Sequence, residues 1–144
     1  MRVLLIEDEP NIIEAINFIL SREGYEVVTH ANGHDAMDAV RERSPDMIIL
    51  DVMLPGRSGF EILEDLRADA AYAETPVLML TARGQTRDRE LAEKLGVSMF
   101  MTKPFAAQTL AVNERTASKT SELAKGLVMN MLTPNFSANS RSRV

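Results

Sequence analysis

The chain has 144 residues, 45% hydrophobic and 26% charged, with a net charge of -5 and no cysteine. That length suits one domain with a genuine core plus a short appendage, and the missing cysteines remove disulfides, thiolate nucleophiles and Cys-ligated metals. No apolar run approaches the ~20 residues that cross a bilayer, "MRVLLIEDEP" meets acids before a signal peptide could be completed, and the acidic balance argues against nucleic acid, so a cytoplasmic protein is expected.

Val3 to Ile6 is a short apolar run ending on Glu7 and Asp8. Pro10 suits a first helical turn, and Ile12, Ile13, Ile16, Ile19 and Leu20 follow at helical spacing. Gly24 is placed to cap that helix, and Tyr25 to Thr29 reads as a second strand. After the turn-prone "ANGHD", Ala36, Met37, Ala39 and Val40 form a helical face that Ser44-Pro45 terminates. Met47 to Leu50 has no polar alternation, the pattern of a strand covered on both faces, and it stops on Asp51 before a Pro-Gly turn. A helix from about Ser58 carries Ile62, Leu63 and Leu66 and is closed by "ADAAYAET". Pro76 introduces the strand Val77 to Leu80; Leu91, Ala92 and Leu95 mark a fourth helix stopped by Gly96; and Ser98 to Met101 offers a fifth strand before Lys103-Pro104.

Strands alternating with helices require right-handed crossovers. The expectation is therefore a doubly wound α/β fold, a five-stranded parallel sheet with helices on both faces. Ligands of such sheets bind beyond the carboxyl ends of the strands, and those ends carry Glu7, Asp8, Asp51, Thr81 and Lys103. Three carboxylates brought together need a cation among them. Oxygen donors without His or Cys favour Mg²⁺, with the ammonium of Lys103 as a second positive charge.

Each residue also has a plainer reading. Glu7, Asp8 and Glu9 suit a helix N-terminus, Asp51 an Asx turn, Thr81 a cap and Lys103 a solvated surface charge. Their joint occurrence at four strand ends is what those separate readings leave unexplained.

The segments "VLLIEDEP", "PDMIILDVMLPGRSGFE", "TPVLMLTAR" and "GVSMFMTKPF", in that order and spacing, resemble the CheY-like receiver domains of bacterial two-component response regulators from Arg2 to about Phe105. The resemblance implies the flavodoxin-like strand order 2-1-3-4-5, and it implies that Asp51 is the phosphoacceptor for a sensor histidine kinase or phosphotransfer protein. It implies that Asp8 and Asp51 hold Mg²⁺ with the backbone carbonyl of Met53, and that Glu7 acts through water. Lys103 would pair with the phosphoryl group, Thr81 would donate its hydroxyl to it, and Phe100 would be the switch aromatic that responds when Thr81 moves. Core packing on a short strand is the plainer account of Phe100. Glu7 stands where the family more often has aspartate, while Met53 and Arg83 match positions that in such proteins tune the lifetime of the phosphorylated state.

Rival readings fail on particular residues. A flavodoxin would need a hydroxyl- and glycine-rich phosphate loop where "EDEPN" stands, because those acids repel phosphate. An aspartyl phosphatase of the haloacid dehalogenase type would need a second acid where Met53 stands. A phosphorylation-independent interaction module has no use for all of Glu7, Asp8, Asp51, Thr81 and Lys103. The expectation is a switch rather than an enzyme, with at most weak self-phosphorylation and self-dephosphorylation.

The charge divides unevenly, -8 over residues 1–113 and +3 over 114–144. A receiver domain over 1–122 and a partly disordered tail over 123–144 are expected, without a separate output domain. Ala and long polar residues favour a helix from about Ala106 to Lys125. It has three open arrangements: packing on the domain, extending away, or pairing with another molecule, for instance in a homodimer through the fourth helix, fifth strand and fifth helix. The output is then a contact with a downstream protein, without direct DNA binding or membrane insertion.

Overall fold

Every side chain of the run from Met47 to Asp51 is buried in the computed structural model, which describes residues 2–81 and 86–102. The run is β3 (Met47–Asp51), the central strand of a five-stranded sheet. Around it the chain forms β1 (Arg2–Ile6), α1 (Pro10–Arg22), β2 (Glu26–His30), α2 (Ala36–Arg43), α3 (Gly59–Ala68), β4 (Val77–Thr81), α4 (Thr86–Lys94) and β5 (Met99–Thr102). All pairings are parallel and the order is β2-β1-β3-β4-β5. This is the doubly wound fold expected from the alternation of elements, in the flavodoxin-like order that the resemblance implies.

Alternate side chains of each strand feed two cores. On one face Leu4, Ile6, Ile48, Leu50, Val77 and Met79 meet Ala36 and Val40 of α2, Ile62, Leu63 and Leu66 of α3, and Ala92 of α4. On the other face Val3, Leu5, Met47, Ile49, Leu78 and Leu80 meet Ile12 and Leu20 of α1. With apolar layers on both sides, the inner strands have no polar face, which is why their sequence does not alternate.

Several boundaries move by one residue, for local reasons. The second strand begins at Glu26 rather than Tyr25, because the Tyr25 N–H donates to the Leu20 carbonyl at 3.1 Å and so belongs to the end of α1. Gly24, at φ 87°, makes that turn without a Cβ penalty. Ser98 lies outside β5, where its hydroxyl oxygen accepts the Val77 N–H at 3.0 Å, and the strand runs on to Thr102. Asp51 and Thr81 are the last residues of their strands rather than the first beyond them.

The fourth helix departs further from expectation. Ala92 is the buried residue of "TRDRELAEK", and Leu91, expected on the apolar face, is 40% exposed. Leu95, also expected there, lies just past the helix and packs against the α2–α3 core.

One arginine ties the far end of the fold together. Arg67 of α3 donates from Nε to the Gly96 carbonyl at 2.8 Å, and from one terminal nitrogen to the carbonyls of Thr75 at 2.8 Å, Tyr72 at 3.1 Å and Ala73 at 3.2 Å. The chain leaving α3 and the turn after α4 thus converge on one partly buried guanidinium. Charged hydrogen bonds contribute roughly 1.5–3 kcal/mol and an abandoned buried acceptor costs about 1–3. Arg67→Met should therefore lower the unfolding free energy by about 2–4 kcal/mol at unchanged m-value in urea. A loss below ~1 kcal/mol would mean that water replaces the guanidinium.

Lys103, the helix expected from about Ala106 to Lys125 and the tail lie outside the described residues.

Candidate functional site

The carboxyl ends of the strands lie level with one another. Ile6 pairs with Leu50, Asp51 with Leu80, and Thr81 with Thr102. The Glu7 N–H still donates to the His30 carbonyl at 3.0 Å, so Glu7 is held as rigidly as the strand before it. Its side chain turns back over the chain that enters α1, and its Oε1 accepts the N–H groups of Asp8 and Glu9, each at 3.1 Å. Glu9 itself caps α1 through its carbonyl, which accepts from Ile12 and Ile13 at 3.1 Å.

Oxygen atoms of Glu7, Asp8 and Asp51 all lie within 4.8 Å of one another. Glu7 is fully buried and Asp51 is 1% exposed, while Asp8 is exposed, so solvent reaches the cluster at Asp8. Three negative charges this close, two of them desolvated, repel each other strongly unless a cation shares the space. The donor set is all oxygen, which suits a hard divalent ion.

The loop after β3 aims the central acid. Asp51 Oδ1 accepts the Met53 N–H at 3.2 Å. This is the Asx bond of the plainer reading, and it accounts for one oxygen without accounting for the two neighbouring acids. Val52 N–H donates to the Leu80 carbonyl and Gly59 N–H to the Val52 carbonyl, at 2.9 and 2.8 Å, while Met53 and Ser58 form an antiparallel bridge across the loop. The Ser58 hydroxyl caps α3 by accepting the Phe60 N–H at 3.1 Å. From outside, Gly33 N–H donates to the Pro55 carbonyl at 2.9 Å. Arg57 reaches along α3 to Asp65 at 2.7 Å and Glu61 at 3.3 Å, and these bonds, Asp65's foremost, raise its pKa above the ordinary arginine value. Met53 itself is 74% exposed beside the acids.

Thr81 is 4% exposed at the end of β4. By strand alternation it follows Val77 and Met79, on the α2–α3 side of the sheet. Phe100 is paired with Met79 and packs against the same core, so Thr81 and Phe100 share one face. Asp51 follows Met47 and Ile49, on the α1 side.

Four of the five strand-end residues are thus described, and Glu7, Asp8 and Asp51 come together as one cluster. What sequence reasoning passed over is the framework around them: Gly59, Arg57 and the Gly33–Pro55 bond. Gly59 alone left a signal, a poor helix former at the first position of a capped helix.

The model of the response regulator receiver domain matches residues 3–113. The chain belongs to the response regulator receiver family. Among solved structures, this receiver domain is similar to the chemotaxis response regulator CheY4 of Vibrio cholerae (31% identity, 83% of this chain and 97% of that one, TM-score 0.69). It is also similar to the phosphorylated cyanobacterial phytochrome response regulator RcpA (27% identity, 92% and 94%, TM-score 0.73). A third likeness is to the N-terminal domain of a response regulator receiver protein from Methanoculleus marisnigri (30% identity, 76% and 89%, TM-score 0.66). Receiver domains are in general signalling switches rather than enzymes, and in this chain the acid cluster stands at the carboxyl end of the sheet.

Proposed function

We propose that the protein is a phosphoacceptor switch in which Asp51 takes a phosphoryl group from a histidine kinase or phosphotransfer protein. The observation that carries this reading is the meeting of Asp51 with Glu7 and Asp8 within 4.8 Å at the end of the central strand. An Asp51 carboxylate oxygen attacks phosphorus, a P–O bond forms as the P–N bond to the donor imidazole breaks, and the departing ring nitrogen takes a proton from solvent. Such transfer asks a protein for positioning and charge neutralisation more than for covalent chemistry. Rigidity comes from β3 and from the Met53 N–H on Asp51 Oδ1.

Asp8 and Asp51 would hold Mg²⁺ together with the Met53 carbonyl, and Glu7 would act through water. The ion would neutralise the charge that develops on the phosphoryl oxygens. Lys103 would pair with the bound phosphoryl group and the Thr81 hydroxyl would donate to it. Hydrogen bonds to charged groups contribute roughly 1.5–3 kcal/mol each, so these two offer about 3–6. Reversing a two-state population from 1:99 to 99:1 takes about 5.5 kcal/mol. The switch is therefore balanced near its limit, with measurable basal activity as the consequence. Thr81 and Phe100 share a face of the sheet, so movement of the threonine hydroxyl is felt on the side where α4 and β5 meet, the surface offered to a downstream protein.

The test is incubation with acetyl phosphate or phosphoramidate and Mg²⁺, followed by intact mass measurement. One added phosphoryl group is expected, and chelation with EDTA should prevent it. No addition, or an addition indifferent to EDTA, would remove the assignment.

A further inference from the structure

We infer that Arg89 of α4 is a positioning residue that latches Phe100 in its resting place and so sets how readily the switch is thrown; this rests on the phosphoacceptor reading above. The Arg89 guanidinium carbon lies over the Phe100 ring, 5.7 Å from its centroid, and joins the first half of α4 to β5. A cation over an aromatic face at that distance is held by the ring quadrupole.

The contact matters because, among the described residues, little else fastens this helix. Ala92 is its buried residue, a small side chain with little surface to hide, and Leu91 stays 40% exposed. The turn beyond its far end is tied down, by the Val97 N–H on the Ala92 carbonyl at 3.0 Å and by Arg67 on the Gly96 carbonyl. Residues 86–91 have no comparable anchor among the described contacts, apart from Arg89 on Phe100. Phe100 is only half-buried, packing against the core that Met79 and Ala92 belong to. Any inward movement of the ring draws it from under the guanidinium. The cation–π attraction is then lost, and it adds to the work that phosphoryl binding must do.

Removing the latch should therefore make switching easier. The probe is beryllofluoride with Mg²⁺, titrated into wild type, Arg89→Met and Arg89→Lys and followed by NMR of the Phe100 and Thr81 amides. An exposed cation–π contact corresponds to roughly a two- to five-fold change in an equilibrium. Arg89→Met should saturate at about two- to five-fold lower beryllofluoride, with Arg89→Lys between it and wild type. The sign is diagnostic, because loss of a positive charge by itself would weaken binding of an anion. In a Phe100→Leu background the Arg89→Met change should vanish, which separates the latch from a general loosening of α4. A wild type that responds normally and an Arg89→Met curve that superimposes on it, or shifts to weaker binding, would overturn the latch and leave the phosphoacceptor reading standing. A wild type with no response at all would overturn both.

Discussion

Asp51→Asn should abolish phosphoryl incorporation and, with divalent cations chelated, make the protein more stable than wild type. The two effects have one cause. Asparagine keeps the shape and an acceptor for the Met53 N–H, so the loop bond at 3.2 Å survives. It removes the oxygen proposed as the nucleophile, and it also removes one of three carboxylates packed within 4.8 Å. A like-charge pair near 4 Å costs about 1 kcal/mol in water and about 4 at an effective dielectric constant of 20. Asp51 is buried but Asp8 faces water, so a gain of about 1–2 kcal/mol is expected in EDTA. In Mg²⁺ the order should narrow or reverse, because a ligand that binds only the folded state raises its stability by mass action and the variant has lost an oxygen proposed as a ligand. Thermal melts of both proteins in EDTA and in Mg²⁺ supply the check. An Asp51→Asn protein that melts below wild type in EDTA would show that the carboxylate is a net stabiliser, contrary to the crowding seen at the site.

The parallel sheet and the acid cluster were legible in the sequence because both follow from rules that act over a few residues, whereas the strand order came with the family resemblance. An unbroken run such as Met47 to Leu50 has to be covered on both faces, and a polar residue at its end falls at the sheet's edge, where the ligands of this architecture sit. Neighbouring strand ends then bring Glu7 and Asp51 together, although 44 positions separate them. Contacts whose partners are set by tertiary structure were not legible. Nothing in the pattern around Arg67 says that its guanidinium will gather four carbonyls from two different turns. The spacing of Leu91 matches a buried face, yet it stays exposed, because helical periodicity says which residues share a side and not how closely that side approaches the sheet. Tyr25 looks like a strand residue by type, and its N–H is taken instead by the end of α1. In each case a hydrogen bond or a packing distance outweighs local propensity.

Gly59→Ala is expected to be the most damaging small substitution near the site, and to damage function beyond its effect on stability. Gly59 opens α3, where alanine would ordinarily improve a helix by roughly 1 kcal/mol. Here a Cβ would fall inside 3.0 Å of the Asp51 carbonyl oxygen and about 3.0 Å from the Asp51 carbonyl carbon and the Val52 Cα. All three are backbone atoms, so no side chain can swing aside to make room. The Gly59 N–H is also bound to the Val52 carbonyl at 2.8 Å, which holds the start of the helix against the end of β3. The methyl group must push either α3 or Asp51 itself. Overpacking of this kind costs about 1–3 kcal/mol, which outweighs the propensity gain. Displacing the backbone that carries the proposed nucleophile relative to Glu7 and Asp8 should slow the proposed transfer as well, since misplacement by about an ångström can cost on the order of 10²-fold in rate. The two consequences separate experimentally. Urea denaturation reports the stability, and labelling by acetyl phosphate far below the melting temperature, where the variant is still folded, reports the alignment. A folded Gly59→Ala protein labelled as fast as wild type would mean that α3 yields and β3 does not, which would locate the rigidity of the site in the sheet alone.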